Sequence, residues 1–221
     1  MPKISVVFVT NRSGAIEYLN KQLSKQTLQN FEVIIANDSE DSGGFKPRQK
    51  DDGDAWNLNK AYNDCLDKVT GDLVVFLQDF IWIPANGLER FWEVHEIYPD
   101  DLITGVGHKA LNGIEGISET DERVIGEPGV SPGNESHFEL NWAACPANKL
   151  VRFDEDMDKH YGGENQVFAL KVQKQFKNNI WIDRSNRCIG LSQESCGGRP
   201  ENWEELHANK GSLAKKIQQY V

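Results

Sequence analysis

The stretch Ile4-Ser5-Val6-Val7-Phe8-Val9, running into Thr10-Asn11-Arg12-Ser13-Gly14, decides the fold class of this chain. A short run dominated by β-branched and aromatic side chains predicts a strand buried on both faces and ending in a polar turn. The pattern recurs twice. Phe31 to Ala36 ends in Asn37-Asp38-Ser39, and Leu73 to Leu77 ends in Gln78-Asp79. Helical spacing lies between these runs: Ile16, Leu19 and Leu23 share a face within Ala15 to Gln26, and Leu58, Ala61, Tyr62 and Leu66 cluster within Ala55 to Val69. Asn86 to Tyr98 reads as a helix, Leu102 to Gly107 as a strand, Glu139 to Ala144 as a candidate strand, and Ile180 to Ile182 as a short one. Glu164 to Phe176 reads as a helix entered through Gly162-Gly163. The alternation predicts an α/β fold with a mainly parallel central sheet and helices on both faces. Ligands of such sheets bind beyond the carboxyl ends of the strands. Asn11, Asp38 and Asp79 each stand just past such an end, and their convergence is the first functional signal.

Composition narrows the partners. The chain has 221 residues, with 24 Lys and Arg against 34 Asp and Glu, a formal charge of −10. With 38% hydrophobic and 26% charged residues it reads as a folded protein of one domain. The expected division is a single domain over 1–200, with halves 1–110 and 111–200, and a polar, helical tail over 201–221. The acidic balance opposes binding to nucleic-acid phosphates unless basic residues gather locally, as Lys210, Lys215 and Lys216 do in the tail. No run approaches the length of a membrane span, and the N-terminus lacks a secretory leader layout, so a cytoplasmic setting is expected. Cys65, Cys145, Cys188 and Cys196 form no CxxC pair and read as free thiols; the spacing of Cys188, Cys196 and His207 is irregular for zinc. Regular patterning fades from Leu111 to Glu139, where seven acids face Arg123 alone; a solvated excursion fits better than an acceptor-side loop. Gly105-Val106-Gly107-His108 lacks the third glycine and helix of a dinucleotide loop.

Three segments carry a resemblance to a known family. Ile4 to Arg12 with Ser24-Lys-Gln-Thr27 and Phe31 to Ser39, then Thr70 to Pro84, then Tyr161-Gly-Gly-Glu-Asn-Gln-Val-Phe-Ala-Leu170 resemble family 2 glycosyltransferases with the GT-A fold, in order and separation. The resemblance spans about residues 3–185. It implies transfer of a sugar from a nucleoside-diphosphate sugar, a UDP-sugar foremost, to an acceptor hydroxyl, with inversion. Thr10, Asn11, Arg12 and Asp38 would line the base and ribose, with Asn57, Lys60, Gln78 and Asp79 also on the donor side. The family's DxD metal motif becomes Gln78-Asp79-Phe80, so Asp79 would be the one carboxylate toward Mn2+ or Mg2+ on the diphosphate, with His207 as a weak second ligand. Basic side chains are the alternative source of positive charge. Glu164 would be the general base, because an inverting transfer needs one carboxylate beside the acceptor hydroxyl. Its partner in the family's acidic pair is replaced by Asn165, and Asp154, Glu155, Asp156 and Asp158 stand in reserve. Gly163, Asn165 and Trp142 would meet the sugar or acceptor, Trp142 by stacking, with Trp82 a lesser candidate. Implied acceptors are an envelope glycan or lipid-linked sugar, or a hydroxymethylated DNA base in the manner of phage-encoded enzymes. The competing readings are a nucleotide-sugar-binding pseudoenzyme, favoured by the eroded DxD, and a nucleotidyltransferase, disfavoured by the single glycine and arginine after the first strand.

Overall fold

The computed structural model describes residues 3–39, 42–47, 57–79, 81–110, 117–118, 122–158 and 163–190. Among them run nine strands: β1 Ile4–Thr10, β2 Phe31–Asn37, β3 Leu73–Gln78, β4 Ile81–Trp82, β5 Leu102–Ala110, β6 Ile117–Ser118, β7 Val130–Gly133, β8 Trp142–Pro146 and β9 Ile180–Gly190. The α-helices are α1 Ala15–Leu23, α2 Leu58–Leu66, α3 Gly87–Ile97 and α4 Glu164–Phe176. One sheet holds every strand, in the order β2-β1-β3-β8-β5-β9-β4, with β6 on β5 and β7 on β9.

The pleat sorts the core into two layers. Val7, Val74, Phe76, Ala143 and Cys145 face α2 and α4, meeting Tyr62, Cys65, Phe168 and Val172. Their alternate neighbours Val6, Phe8, Leu73, Val75, Leu77 and Ala144 face α1 and α3, meeting Leu19, Leu23, Leu88 and Phe91. Both faces being covered is why these runs carry almost no polar side chain. Burying one such Val or Leu is worth about 1.5–3 kcal/mol.

The parallel character is concentrated. β1 pairs with β2 and β3 in parallel, and β5 with β9, whereas β8 runs antiparallel to both β3 and β5 and so joins the two halves. The expected strand over Glu139 to Ala144 is found shifted, at Trp142–Pro146. The short strand expected at Ile180 is the eleven-residue β9. Its register to β5 jumps from Gly105–Asp183 to Val106–Arg187. The polar bulge Arg184-Ser185-Asn186 interrupts the apolar pattern and hides the continuation from sequence. The excursion before β8 carries structure too. Val130–Gly133 adds to β9 as β7, and short 3₁₀ turns lie at Glu122–Val124 and Glu135–His137.

Trp142 explains two glycines. Its ring is fully buried, packed on Phe91 with centroids 4.6 Å apart, and its Nε1 donates to Asn186 Oδ1 at 3.0 Å. A Cβ on Gly105 would lie 2.2 Å from Trp142 Cδ1, and one on Gly87 2.6 Å from Cζ2. Gly105 therefore serves packing, and Trp142 is a core residue with no face for a sugar, correcting its expected role. Trp82 is half-buried in β4. Cys65, Cys145 and Cys188 are buried free thiols, and burial pushes Cys65 up to about 12, so it is protonated and inert. No helix among the described residues is long and apolar enough to cross a membrane. His207, Cys196 and the 201–221 tail lie outside the described residues.

Candidate active site

Parallel strands deliver their last residues to one edge, and the site is built there. Thr10 ends β1, Asp38 follows β2, Gln78 ends β3 and Asp79 follows it. The edge extends β1–β2 by one bond, with the Asp38 N–H donating to the Thr10 carbonyl at 2.8 Å. Asn37 shapes the loop beyond. Its Oδ1 accepts from the N–H and hydroxyl of Ser39, and its Nδ2 donates to the Gly43 carbonyl. Gly44 is needed here, since its φ is +70° and a Cβ would meet the Ile35 carbonyl at 2.6 Å. Asn11 is exposed and Asp38 half-buried at this rim.

Thr10, Arg12 and Asp79 form a closed ring. The Arg12 N–H donates to Thr10 Oγ1 at 3.0 Å, and Thr10 Oγ1 donates to Asp79 Oδ2 at 2.9 Å. Arg12 Nε approaches the same oxygen at 3.2 Å. Burial pushes the Asp79 carboxyl up, and the Arg12 guanidinium and the Thr10 hydroxyl partly offset it. Gln78, the neighbour on β3, brings an amide rather than a carboxylate. No group of three or more His, Cys, Asp or Glu side chains able to hold a metal ion occurs among the described residues. An ion at about 2.1 Å from Oδ2 would stand within about 5 Å of the guanidinium, cation against cation. Among the described residues a divalent ion at this edge would therefore rest on few protein oxygens and draw the others from the donor's phosphates.

The opposite wall is acidic. Gly163, with φ 89°, turns the chain into α4 and sets Glu164 in its first turn. Removal from water pushes the Glu164 carboxyl up to about 7; its own backbone N–H opposes the shift, and the nearby Glu139 and Asp158 carboxylates reinforce it. Asn165 Nδ2 donates to Glu139 Oε2 at 2.9 Å, so the amide standing where the family has its second acid holds a carboxylate from another segment. Asp158 serves α2. Its Oδ1 accepts from the N–H of Asn59 at 2.7 Å and its Oδ2 from that of Lys60 at 3.3 Å, a cap supplied from a residue about a hundred positions away. Asn57 is the N-cap residue of that helix, and Lys60 is buried in its first turn. Asp154 is paired with Lys171 at 2.8 Å and Glu155 accepts from Asn63 at 3.0 Å. Of the four reserve bases, Asp156 is the exposed one.

Tyr62 ties the two walls together. It is fully buried, and burial raises its phenol, as do the adjacent Glu164 and Asp79 carboxylates, while the Gln78 side chain offsets them by a hydrogen bond. One phenol thus touches the fields of both the β1–β3 edge and the acidic wall. Sequence reading placed Tyr62 only on the apolar face of a helix; its hydroxyl among apolar neighbours was the available signal. Glu139 and the capping role of Asp158 had none, because both depend on contacts between distant segments.

No family model matches the sequence, and no curated protein matches it either. Solved structures do match in fold. The chain superposes on S. aureus TarS residues 1-349, with TM-score 0.68 and 17% identity over 97% of this chain and 65% of that one. The complex of the same fragment with UDP-GlcNAc gives TM-score 0.71 and 16% identity over 97% and 66%. The complex with UDP gives 0.66 and 15% over 99% and 70%. The chain spans about two thirds of the length of these fragments. The chain shares its fold with these structures, the GT-A fold.

Proposed function

We propose that the chain transfers a sugar from a nucleoside-diphosphate sugar, a UDP-sugar first among them, to an acceptor hydroxyl with inversion, and that Glu164 is the general base. The observation that carries this reading is the position of Glu164. A carboxylate poised near neutrality shares the field of the buried Tyr62 phenol with Asp79 at the end of β3, in a fold shared with S. aureus TarS, which binds UDP-GlcNAc.

The chemistry follows from that placement. The acceptor oxygen bonds the anomeric carbon as its proton passes to a Glu164 carboxylate oxygen. The bond from the anomeric carbon to the diphosphate oxygen breaks, and its electron pair leaves with the nucleoside diphosphate. Attack opposite the leaving group inverts the centre. A base of pKa about 7 is both available and strong enough to take the proton at neutral pH. Thr10, Asn11, Arg12 and Asp38 receive the nucleotide; Gly163 and Asn165 border the acceptor. The test is Glu164→Gln with UDP-GlcNAc and a panel of glycan, lipid-linked and hydroxymethylated DNA acceptors. Turnover is expected to fall by about a hundredfold or more, with UDP-sugar affinity retained. Undiminished turnover would remove Glu164 from the mechanism.

A further inference from the structure

We propose that Gln22 is a positioning residue for the end of β3: its buried carboxamide clamps the backbone that follows Asp79 and so fixes where that carboxylate meets the donor. The proposal rests on the donor reading above and adds what sets the place of Asp79. Gln22 lies in the last turn of α1. Its Nε2 donates to the Ile81 carbonyl at 3.0 Å, and its Oε1 accepts from the Ile83 N–H at 2.7 Å. One side chain thus takes the carbonyl of one residue and the N–H two positions on, as a neighbouring strand does in a ladder. β4 has β9 as its strand partner, through Ile81 with Gly190 and Trp82 with Ile189, and Gln22 meets it as a further one.

The clamp bears on Asp79 because the sheet no longer does. The β1–β3 ladder ends at Val9 with Gln78, and Asp79 stands one residue past it in a turn. Thr10 Oγ1 holds the carboxylate at 2.9 Å. Ile81 follows two positions later, within about 7 Å along the chain, so fixing its carbonyl limits where the Asp79 backbone can go. Water cannot replace the clamp. Ile81 and Ile83 are 1% and 3% exposed and Gln22 is 7% exposed, so backbone groups released there stay unsatisfied unless the segment moves. Gln26 repeats the chemistry one turn on. Its Nε2 donates to the Pro84 carbonyl at 2.9 Å and its Oε1 accepts from the Leu88 N–H at 3.1 Å, farther from Asp79 along the chain. The pair supplies its own control: two buried amides holding one segment, of which one adjoins the site.

The test compares Gln22→Met with Gln26→Met in the full chain, since methionine keeps the length and makes neither bond. Calorimetry with UDP is run beside hydrogen exchange of the Ile81 and Ile83 amides. Both variants should lower the thermal midpoint. Gln22→Met is expected to weaken UDP at least fivefold and to speed exchange at Ile83 at least tenfold, while Gln26→Met leaves UDP within about twofold. If circular dichroism shows Gln22→Met unfolded, Gln22→Glu replaces it. Protonated, that side chain can make both bonds, and ionised only the one from Ile83, so its UDP affinity relative to the wild type should fall as pH rises through the titration of the new carboxyl. A ratio that does not change with pH, equal losses of UDP affinity in the two methionine variants, or no loss in Gln22→Met overturns the proposal. Unchanged exchange at Ile83 in Gln22→Met overturns the clamp whatever UDP does. Failure of the wild type to bind UDP overturns the donor reading instead.

Discussion

From β2 through β1 to β3 every strand pair is parallel, and the site residues end a strand or follow it within two positions: Thr10 with Arg12, Asp38, and Gln78 with Asp79. From β8 through β5 to β9 the pairing is mixed, and the carboxylates on the acidic wall, Glu139, Asp158 and Glu164, come from three segments that end no strand. In the first half the sheet itself sets where side chains arrive. In the second, polar contacts between distant segments do that work: Asn165 to Glu139, Asp158 to the start of α2, and Asn63 to the backbone of Phe153 through both its amide atoms. Geometry enforced by a close-packed apolar sheet tolerates change in any one polar group. Geometry enforced by a few buried hydrogen bonds does not, because removing one partner leaves the other unsatisfied.

The joint between the halves gives the largest expected effect. β8 is antiparallel to both neighbours, and Trp142 fills the space between Phe91, Gly87 and Gly105. Trp142→Ala is expected to cost about 3–5 kcal/mol in urea unfolding, from lost burial and the cavity left behind. Gly105→Ala should destabilise as well, since its Cβ would overlap the indole. A loss below about 1 kcal/mol for Trp142→Ala would mean that the halves are not joined there.

Next in size is the cap on α2. Asp158→Asn leaves an amide where two backbone N–H groups meet a carboxylate, and a loss of about 1–2 kcal/mol is expected. The same substitution removes a negative charge near Glu164 and should move the acid limb of turnover to lower pH. A variant that loses stability with an unmoved pH profile would separate the cap from the wall. The stability of the wild type should also depend on pH through Glu164. Its folded value of about 7 exceeds the ordinary 4.5, so the native state holds the proton more tightly than the unfolded chain. Stability is therefore greatest below the ordinary value and falls as pH rises from there through about 7. In Glu164→Gln the part of that fall due to this carboxyl should vanish, read as a thermal midpoint that drops less across this range.

The contrast between the halves also governs what the sequence could tell. Three apolar runs each ending in polar residues located one edge of the sheet, because in a parallel sheet the end of a strand is a position in space as well as in the chain. Trp142 could not be assigned from its type; the pleat of β8 decides, placing it with Ala144 on one face and Ala143 with Cys145 on the other. The acids from Asp154 to Asp158 looked equivalent in line. Which one caps α2 depends on a contact across the fold, and nothing local marks it. The continuation of β9 was masked by Arg184-Ser185-Asn186, where Asn186 turns inward to bond Trp142 and the carbonyl of Gly87.

The smallest effect tests the acidic wall most directly. Glu139 reinforces the raised value of Glu164 and is held by Asn165, so Glu139→Gln removes one carboxylate while an amide can still meet the Asn165 side chain. Burial remains the larger cause, and the substitution should lower the acid limb of turnover by less than about one pH unit, with little change in stability. Asn165→Asp works in the opposite direction, setting a second acid against Glu139 and beside Glu164, and should raise that limb. Opposite displacements of one pH profile, at nearly constant UDP-sugar affinity, would show that the wall tunes the base and leaves the donor edge alone. Equal displacements would mean that Glu139 acts through packing. A loss of donor affinity in either variant would mean that the two halves are coupled more tightly than the single buried phenol of Tyr62 accounts for.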